Sequence, residues 1–159
     1  MTAVTAIKSL FLNPIFLSTI SSLFIAQILK LVFQMIKNKT RKKLDAIETI
    51  LWRTGGMPSS HSAVVCALAT SIGIFESIES TYFIISLVFA MVVLRDSMGV
   101  RRAAGLQARA LNNLGRQSAK LTGLEFHTVK EIQGHTPLEV LVGAILGIVI
   151  AIGFFLILK

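Results

Sequence analysis

Four stretches of this chain run for about twenty residues with almost no charge, and they constrain its fold more than any other feature. They span about Pro14–Ile36, Ser60–Ile78, Thr81–Val100 and Pro137–Leu158. Each is close to the roughly 20 apolar residues that carry a helix across a bilayer. None shows the alternation of a half-buried strand. The sequence therefore predicts an all-α, multi-pass membrane helix bundle of about four spans, forming a single integral membrane domain over residues 1–159. No internal repeat or low-complexity segment divides it, and Met1–Leu12 lacks the basic start and small-residue site of a cleavable signal peptide.

Composition agrees. Of 159 residues, 53% are hydrophobic and 15% charged, against about 25% charged in soluble domains, which makes a soluble enzyme or a disordered chain a poor reading. Lys and Arg number 16 against 8 Asp and Glu, a net charge of +8. In a chain this apolar, such an excess points to cytoplasmic loops and anionic lipid headgroups, with no nucleic-acid partner expected. The single cysteine, Cys66, excludes an internal disulfide and reads as a small packing residue.

The basic residues also set an orientation. Loop 37–58 holds Lys37, Lys39, Arg41, Lys42, Lys43 and Arg53, and loop 101–135 holds Arg101, Arg102, Arg109, Arg116, Lys120 and Lys130. The short turn at Glu76 and Glu79 holds no basic residue. The positive-inside rule puts both long loops in the cytoplasm and both termini on the far side of the cell membrane. Arg102, Arg109 and Arg116 recur every seven residues, with Lys120 four later and Leu106, Leu114 and Leu121 on a more apolar face. This spacing predicts a cytoplasmic interfacial amphipathic helix touching anionic headgroups.

In this topology the end of the first span, the start of the second, the end of the third and the start of the fourth share one membrane face. The unusual polar residues stand at those four ends. The second span is preceded by Gly55-Gly56-Met57-Pro58-Ser59-Ser60-His61-Ser62. Gly56 allows close backbone approach, Ser59 or Ser60 can cap the helix, and the free amides of its first turn suit an anion such as phosphate. The fourth span opens Gly134-His135-Thr136-Pro137-Leu138-Glu139. Thr136 and Glu139 match a capping box, with proline at the first helical position. Glu139 can also reach His135, four residues back, and the two roles can coexist. In the first span Gln27, Lys30 and Gln34 share a face, and a lysine within a span is either functional or snorkelling. At the end of the third span, Arg101 and Arg102 can clamp a phosphate. Asp96 can orient one of them, bind a metal, or pair with Arg95. Gly143 and Gly147 form a G-x-x-x-G that packs either within the chain or in a homo-oligomer.

Two histidines, a lysine, two arginines and one or two carboxylates beside helix N-termini suit metal-free phosphoryl transfer. One histidine attacks phosphorus and the other protonates the leaving oxygen, while cations and amides hold the equatorial oxygens. No ligand spacing for a metal is recognisable, and no cofactor is expected.

The segments Gly55–Ser62, Arg95–Arg102, Ala104–Ala108 and Gly134–Val140 resemble the divergent branch of the type 2 phosphatidic acid phosphatase superfamily, related to acid phosphatases and vanadium-dependent haloperoxidases. The resemblance covers about residues 25–150. It implies a phosphohistidine mechanism without metal on a lipid phosphate or prenyl diphosphate. The superfamily motifs read K-x6-R-P, P-S-G-H and S-R-x5-H-x3-D. By resemblance Lys30 is the first-motif lysine, with Lys37-Asn38 in place of Arg-Pro. Pro58-Ser59-Ser60-His61 is the second motif, with His61 the general acid. His135 is the nucleophile, and Glu139 replaces the aspartate. The third-motif arginine falls on Val129, so Arg101 or Arg102 is expected to supply that charge. The substrate-binding set is then Lys30, Gly56, Ser59, Ser60, Asp96, Arg101 and Arg102, and the catalytic set His135, His61 and Glu139. Two alternatives are a non-catalytic module binding anionic lipid or phosphate, and a metal-assisted hydrolase using Asp96, Glu131 and Glu139.

Overall fold

The computed structural model describes residues 3–36, 56–131 and 134–158. Lys37-Asn38 and most of the basic loop 37–58, through Gly55, lie outside the described residues. Among the described residues six helices follow in order: α1 (Ala3–Leu12), α2 (Pro14–Ile36), α3 (Ser60–Phe75), α4 (Thr81–Met98), α5 (Val100–Thr122) and α6 (Pro137–Leu158). No strand occurs among the described residues.

The bundle has an inside-out composition. Its buried residues are small: Ala26, Ala63, Ala67, Ala90 and Ala151, with Ser18, Ser22, Ser62, Ser71, Ser86 and Ser97. The large side chains, such as Phe24, Ile28, Phe89, Val92, Ile145 and Ile152, face outward. Water would penalise that arrangement, whereas lipid does not, because acyl chains are as apolar as leucine and helices associate there through close backbone packing. Several buried serines return their hydroxyls to the helix: Ser22 donates to the Thr19 carbonyl at 2.7 Å and Ser97 to that of Val93 at 2.8 Å. Between helices, Ser18 and Ser71 are joined by an Oγ–Oγ hydrogen bond of 2.6 Å.

At the centre stands α3, packed against α2, α4 and α6. Ala63 and Ala67 lie on one side of it and Val65 and Ala69 on the opposite side, and all four are buried. Gly143 and Gly147 of α6 make the closest approach. A Cβ on Gly143 would collide with the Ser59 carbonyl, and one on Gly147 with that of Ala63. The G-x-x-x-G of α6 is thus occupied by α3 of the same chain.

The spans differ in detail from the expectation of about four. Helices α2, α4 and α6 are long and apolar enough to cross a membrane. Helix α3 ends at Phe75 with Glu76 as its C-cap, not at Ile78. Its 16 residues rise about 24 Å, short of a hydrocarbon core of about 30 Å. The N-terminal helix α1 was not foreseen. Asn13 separates it from α2, where its Oδ1 accepts the amides of Ile15 at 2.8 Å and Phe16 at 3.3 Å, and Pro14 takes the first helical position. The amphipathic helix is α5. Arg102, Arg109, Arg116 and Lys120 are exposed on it, as are Leu106, Leu111, Leu114 and Leu121.

After Gly123, whose φ of 70° ends α5 in the left-handed region, the chain folds back over that helix. Asn112 holds it like a strand partner: Nδ2 donates to the Val129 carbonyl at 2.9 Å, and Oδ1 accepts the Val129 amide at 2.8 Å. Glu131 completes the attachment, accepting from Asn112 Nδ2 at 3.0 Å and Arg109 Nε at 3.1 Å.

Candidate functional site

The ends of α2 and α4 and the starts of α3 and α6 meet at one face of the bundle, joined by their own backbones. The Ser59 amide, at the N-cap of α3, donates to the Glu139 carbonyl in the first turn of α6 at 3.0 Å. The His135 amide donates to the Ser97 carbonyl of α4 at 3.3 Å. Gly134 sits so close to the backbone of Arg102 that a Cβ would collide with it, which brings the first turn of α5 to the same place. Gly56, at φ 98°, presses on α2: a Cβ there would stand 3.3 Å from Lys30 Cε and 3.5 Å from Gln34 Nε2.

These contacts place the side chains. His135 is only 6% exposed. Its Nδ1 is 3.1 Å from Glu139 Oε2. The same carboxylate oxygen accepts the Thr136 amide at 3.0 Å, and the Glu139 amide donates to Thr136 Oγ1 at 3.4 Å. The capping box and the carboxylate–imidazole contact therefore coexist in one residue. When His135 is neutral with its proton on Nδ1, the bond to Glu139 leaves the Nε2 lone pair open. Burial pushes the His135 imidazole below its ordinary 6.5, with smaller contributions from the Lys30 and Arg101 charges; the Glu139 hydrogen bond and charge pull partly the other way.

His61, in the first turn of α3, stays exposed. Arg101, His135, Lys30 and Asp96 all lie within electrostatic reach of it. Lys30 is 3% exposed and is turned into the bundle, not out along the membrane surface. Asp96 accepts from Arg101 Nε at 2.6 Å, so the partner it takes is Arg101 and not its neighbour Arg95.

The remaining candidates stand apart from the imidazoles to different degrees. Ser59 and Ser60 are buried. The Ser59 hydroxyl is engaged as the cap, accepting from the Ser62 amide at 3.4 Å and from the Ser62 hydroxyl at 2.9 Å. What that turn offers a ligand is the amides of Ser60 and His61, which have no intrahelical acceptor. Arg102 is exposed and reaches the site through its backbone at Gly134. Among the described residues no group of three His, Cys, Asp or Glu side chains could hold a metal. The carboxylates of the metal-assisted alternative do not converge. Asp96 is bonded to Arg101, Glu139 to His135, and Glu131 to Asn112 and Arg109, which hold its carboxyl below the usual range.

The family model described as "Divergent PAP2 family" matches residues 11–150. The chain belongs to the divergent PAP2 family. The match takes in α2 to α5 and the part of α6 that carries its first turns, so every residue of the site lies within it. The chain is also similar to a protein of Bacillus subtilis (strain 168) named "Uncharacterized membrane protein YuiD", at 35% identity over 147 residues, covering 86% of this chain and 90% of the relative. No solved structure gives a significant match. Family membership places the chain in a phosphatase-related superfamily.

Sequence reasoning missed three parts of this arrangement. The Ser97 carbonyl, the Ser59–Glu139 backbone bond and the Asn112 clamp all join residues far apart in the chain. Only Asn112 left a signal, as an asparagine midway along a helix, where its side chain ordinarily competes with the backbone.

Proposed function

We propose that this protein is a membrane-embedded phosphatase that hydrolyses a lipid phosphate or isoprenoid diphosphate at the cytoplasmic face of the cell membrane. The observation that carries the reading is the convergence of His135, His61, Lys30 and Arg101 at one rim of the bundle, with His135 oriented by Glu139. Nε2 of His135 attacks phosphorus. The P–O bond to the lipid alcohol or diphosphate leaving group breaks, and His61 transfers its proton to the departing oxygen. Lys30, Arg101 and the first-turn amides of α3 hold the equatorial oxygens, and Asp96 orients Arg101. Water, deprotonated by His61, then cleaves the phosphohistidine and releases inorganic phosphate. The cytoplasmic face is supported by the basic residues of α5 at the site end and by the lack of Lys and Arg in the turn at Glu76 and Glu79 at the other.

Phosphate release from phosphatidate and from a prenyl diphosphate by the purified protein tests the mechanism. Turnover is expected in the wild type and its loss in His135→Ala and His61→Ala; equal turnover in all three overturns it. A second reading, a module that binds lipid phosphate without turnover, is favoured by position 129. Val129 stands where the superfamily has arginine, and its backbone is pinned to Asn112. Tight phosphatidate binding with no phosphate release in any of the three proteins selects that reading.

A further inference from the structure

The pairing of Asp96 with Arg101 has a consequence on the other side of α4. The buried residues of that helix are Ser86, Ala90 and Ser97. At about 100° per residue, Arg95 projects opposite this stripe, on the outward face of a span, one turn from its end. It is exposed and forms no ion pair with a described residue. Around it lies a groove of about 490 Å³, lined by Met91, Leu94, Arg95, Met98 and Gly99. Met91, Leu94 and Met98 make its wall apolar, Arg95 supplies its one charge, and Gly99 is the joint at which α4 gives way to α5.

We infer that this groove at the α4–α5 joint is a binding site for a single anionic phospholipid of the leaflet, with its phosphate on Arg95 and an acyl chain along Met91 and Leu94. An arginine one turn from the end of a span can reach the headgroup layer, where anionic lipid phosphates meet it. The surrounding medium supplies anions of one geometry, a phosphate ester joined to hydrocarbon. A water-soluble phosphate would leave the methionine and leucine wall uncovered, and a zwitterionic lipid would bring its own cation to the arginine. Methionine side chains adapt to irregular chains such as these. The groove ends at Gly99, where α5 with its exposed arginines begins, so the bound lipid sits at the start of the helix that meets the headgroup layer. The site involves neither histidine and does not depend on turnover.

Native mass spectrometry of the full-length protein, released from micelles doped with phosphatidylglycerol, phosphatidylcholine or free glycerol phosphate, tests this. One phosphatidylglycerol is expected to stay bound, with phosphatidylcholine and glycerol phosphate lost. Arg95→Gln is expected to weaken retention roughly tenfold, as the loss of one charge-assisted contact implies. Met91→Trp, which fills the groove and keeps the charge, weakens it also, while Lys8→Gln, an exposed charge on α1, leaves it unchanged. Equal retention by wild type and Arg95→Gln, equal loss in Lys8→Gln, or equal retention of phosphatidylcholine overturns the inference. Thermal unfolding of each variant in the same micelles establishes that it is folded.

Discussion

The Ser59 amide and the Glu139 carbonyl are joined by a 3.0 Å hydrogen bond, so the cap of the helix that carries His61 and the residue that orients His135 form one unit. A slide of either helix along the other would break this bond. Gly143 permits the contact, because its missing Cβ leaves room for the Ser59 carbonyl. The site is therefore built on helix packing, and its chemistry is coupled to that packing.

Glu139→Gln separates the two roles of this residue. The amide oxygen can still cap the helix through Thr136, so the stability cost is small, about 1 kcal/mol or less. The negative charge that raises the His135 pKa is gone, and the imidazole titrates at lower pH than in the wild type. The expected loss of turnover is about 10- to 100-fold, by analogy with other groups that orient a working histidine. Histidine NMR titration alongside phosphate release checks both, and an unmoved His135 titration contradicts the role given to Glu139.

The same shift gives a pH dependence with a definite sign. Burial depresses the His135 pKa in the folded state below 6.5. Its contribution to stability is fully present above 6.5 and is lost as pH falls from there through the depressed folded value, because the unfolded chain then binds the extra proton. The nucleophile must be neutral, so the acid limb of kcat/KM is expected below pH 6.5. An acid limb above 6.5, or a His135 NMR titration above 6.5 in the folded protein, contradicts this assignment.

Close packing of α3 on α6 predicts a contrast among glycines. A Cβ on Gly147 would collide with the Ala63 carbonyl, whereas nothing lies within 4 Å of a Cβ on Gly153. Gly147→Ala is expected to destabilise by about 1–3 kcal/mol, the usual range for overpacking a close contact. Gly153→Ala is expected to leave the unfolding temperature nearly unchanged. Thermal unfolding in detergent measures both.

Asn112→Ala removes both bonds to the Val129 backbone and one to Glu131. The segment that folds back over α5 is then expected to detach, at a cost of about 1–3 kcal/mol for the orphaned polar groups. Protease cleavage near residues 124–131 should quicken while cleavage elsewhere does not. Uniform quickening would mean instead that Asn112 supports the whole bundle.

Much of this architecture was legible in the sequence, for identifiable reasons. A bilayer imposes a length, so α2, α4 and α6 announced themselves. The seven-residue recurrence of Arg102, Arg109 and Arg116 did the same for α5, and the capping box marked the start of α6. What escaped depended on tertiary contact or on breaks in regularity. Helix α1 has 10 residues, too few to read as a span. Helix α3 ends early because the backbone leaves helical geometry just past Glu76, at Ser77 with φ 151°. Asp96 and Arg101 are five apart, a spacing that does not make neighbours on a continuous helix. They meet across the break at Gly99, whose φ of −101° and ψ of −84° depart from α geometry, and a sequence does not advertise that break. The fold-back of 124–131 rests on one asparagine and has no periodicity at all.

Lys30 supplies the sharpest test of how the cations are used. It is buried at 3% exposure, and Gly56 packs so closely on its stem that even a Cβ there would stand 3.3 Å from Lys30 Cε. A compact ammonium fits there, whereas a planar guanidinium is wider and keeps its charge farther from the backbone. Lys30→Arg is therefore expected to fail even though the charge is conserved, losing about 100-fold or more in kcat/KM, as when a single preorganised transition-state contact is removed. Lys30→Met should lose as much activity. It should also keep its fold, since methionine matches the stem and adapts to the space. If Lys30 served only to snorkel toward headgroups, arginine would substitute freely and both variants would retain turnover. Phosphate release from the two variants, with circular dichroism to establish the fold, decides between a lysine that meets the phosphate and one that merely anchors the helix.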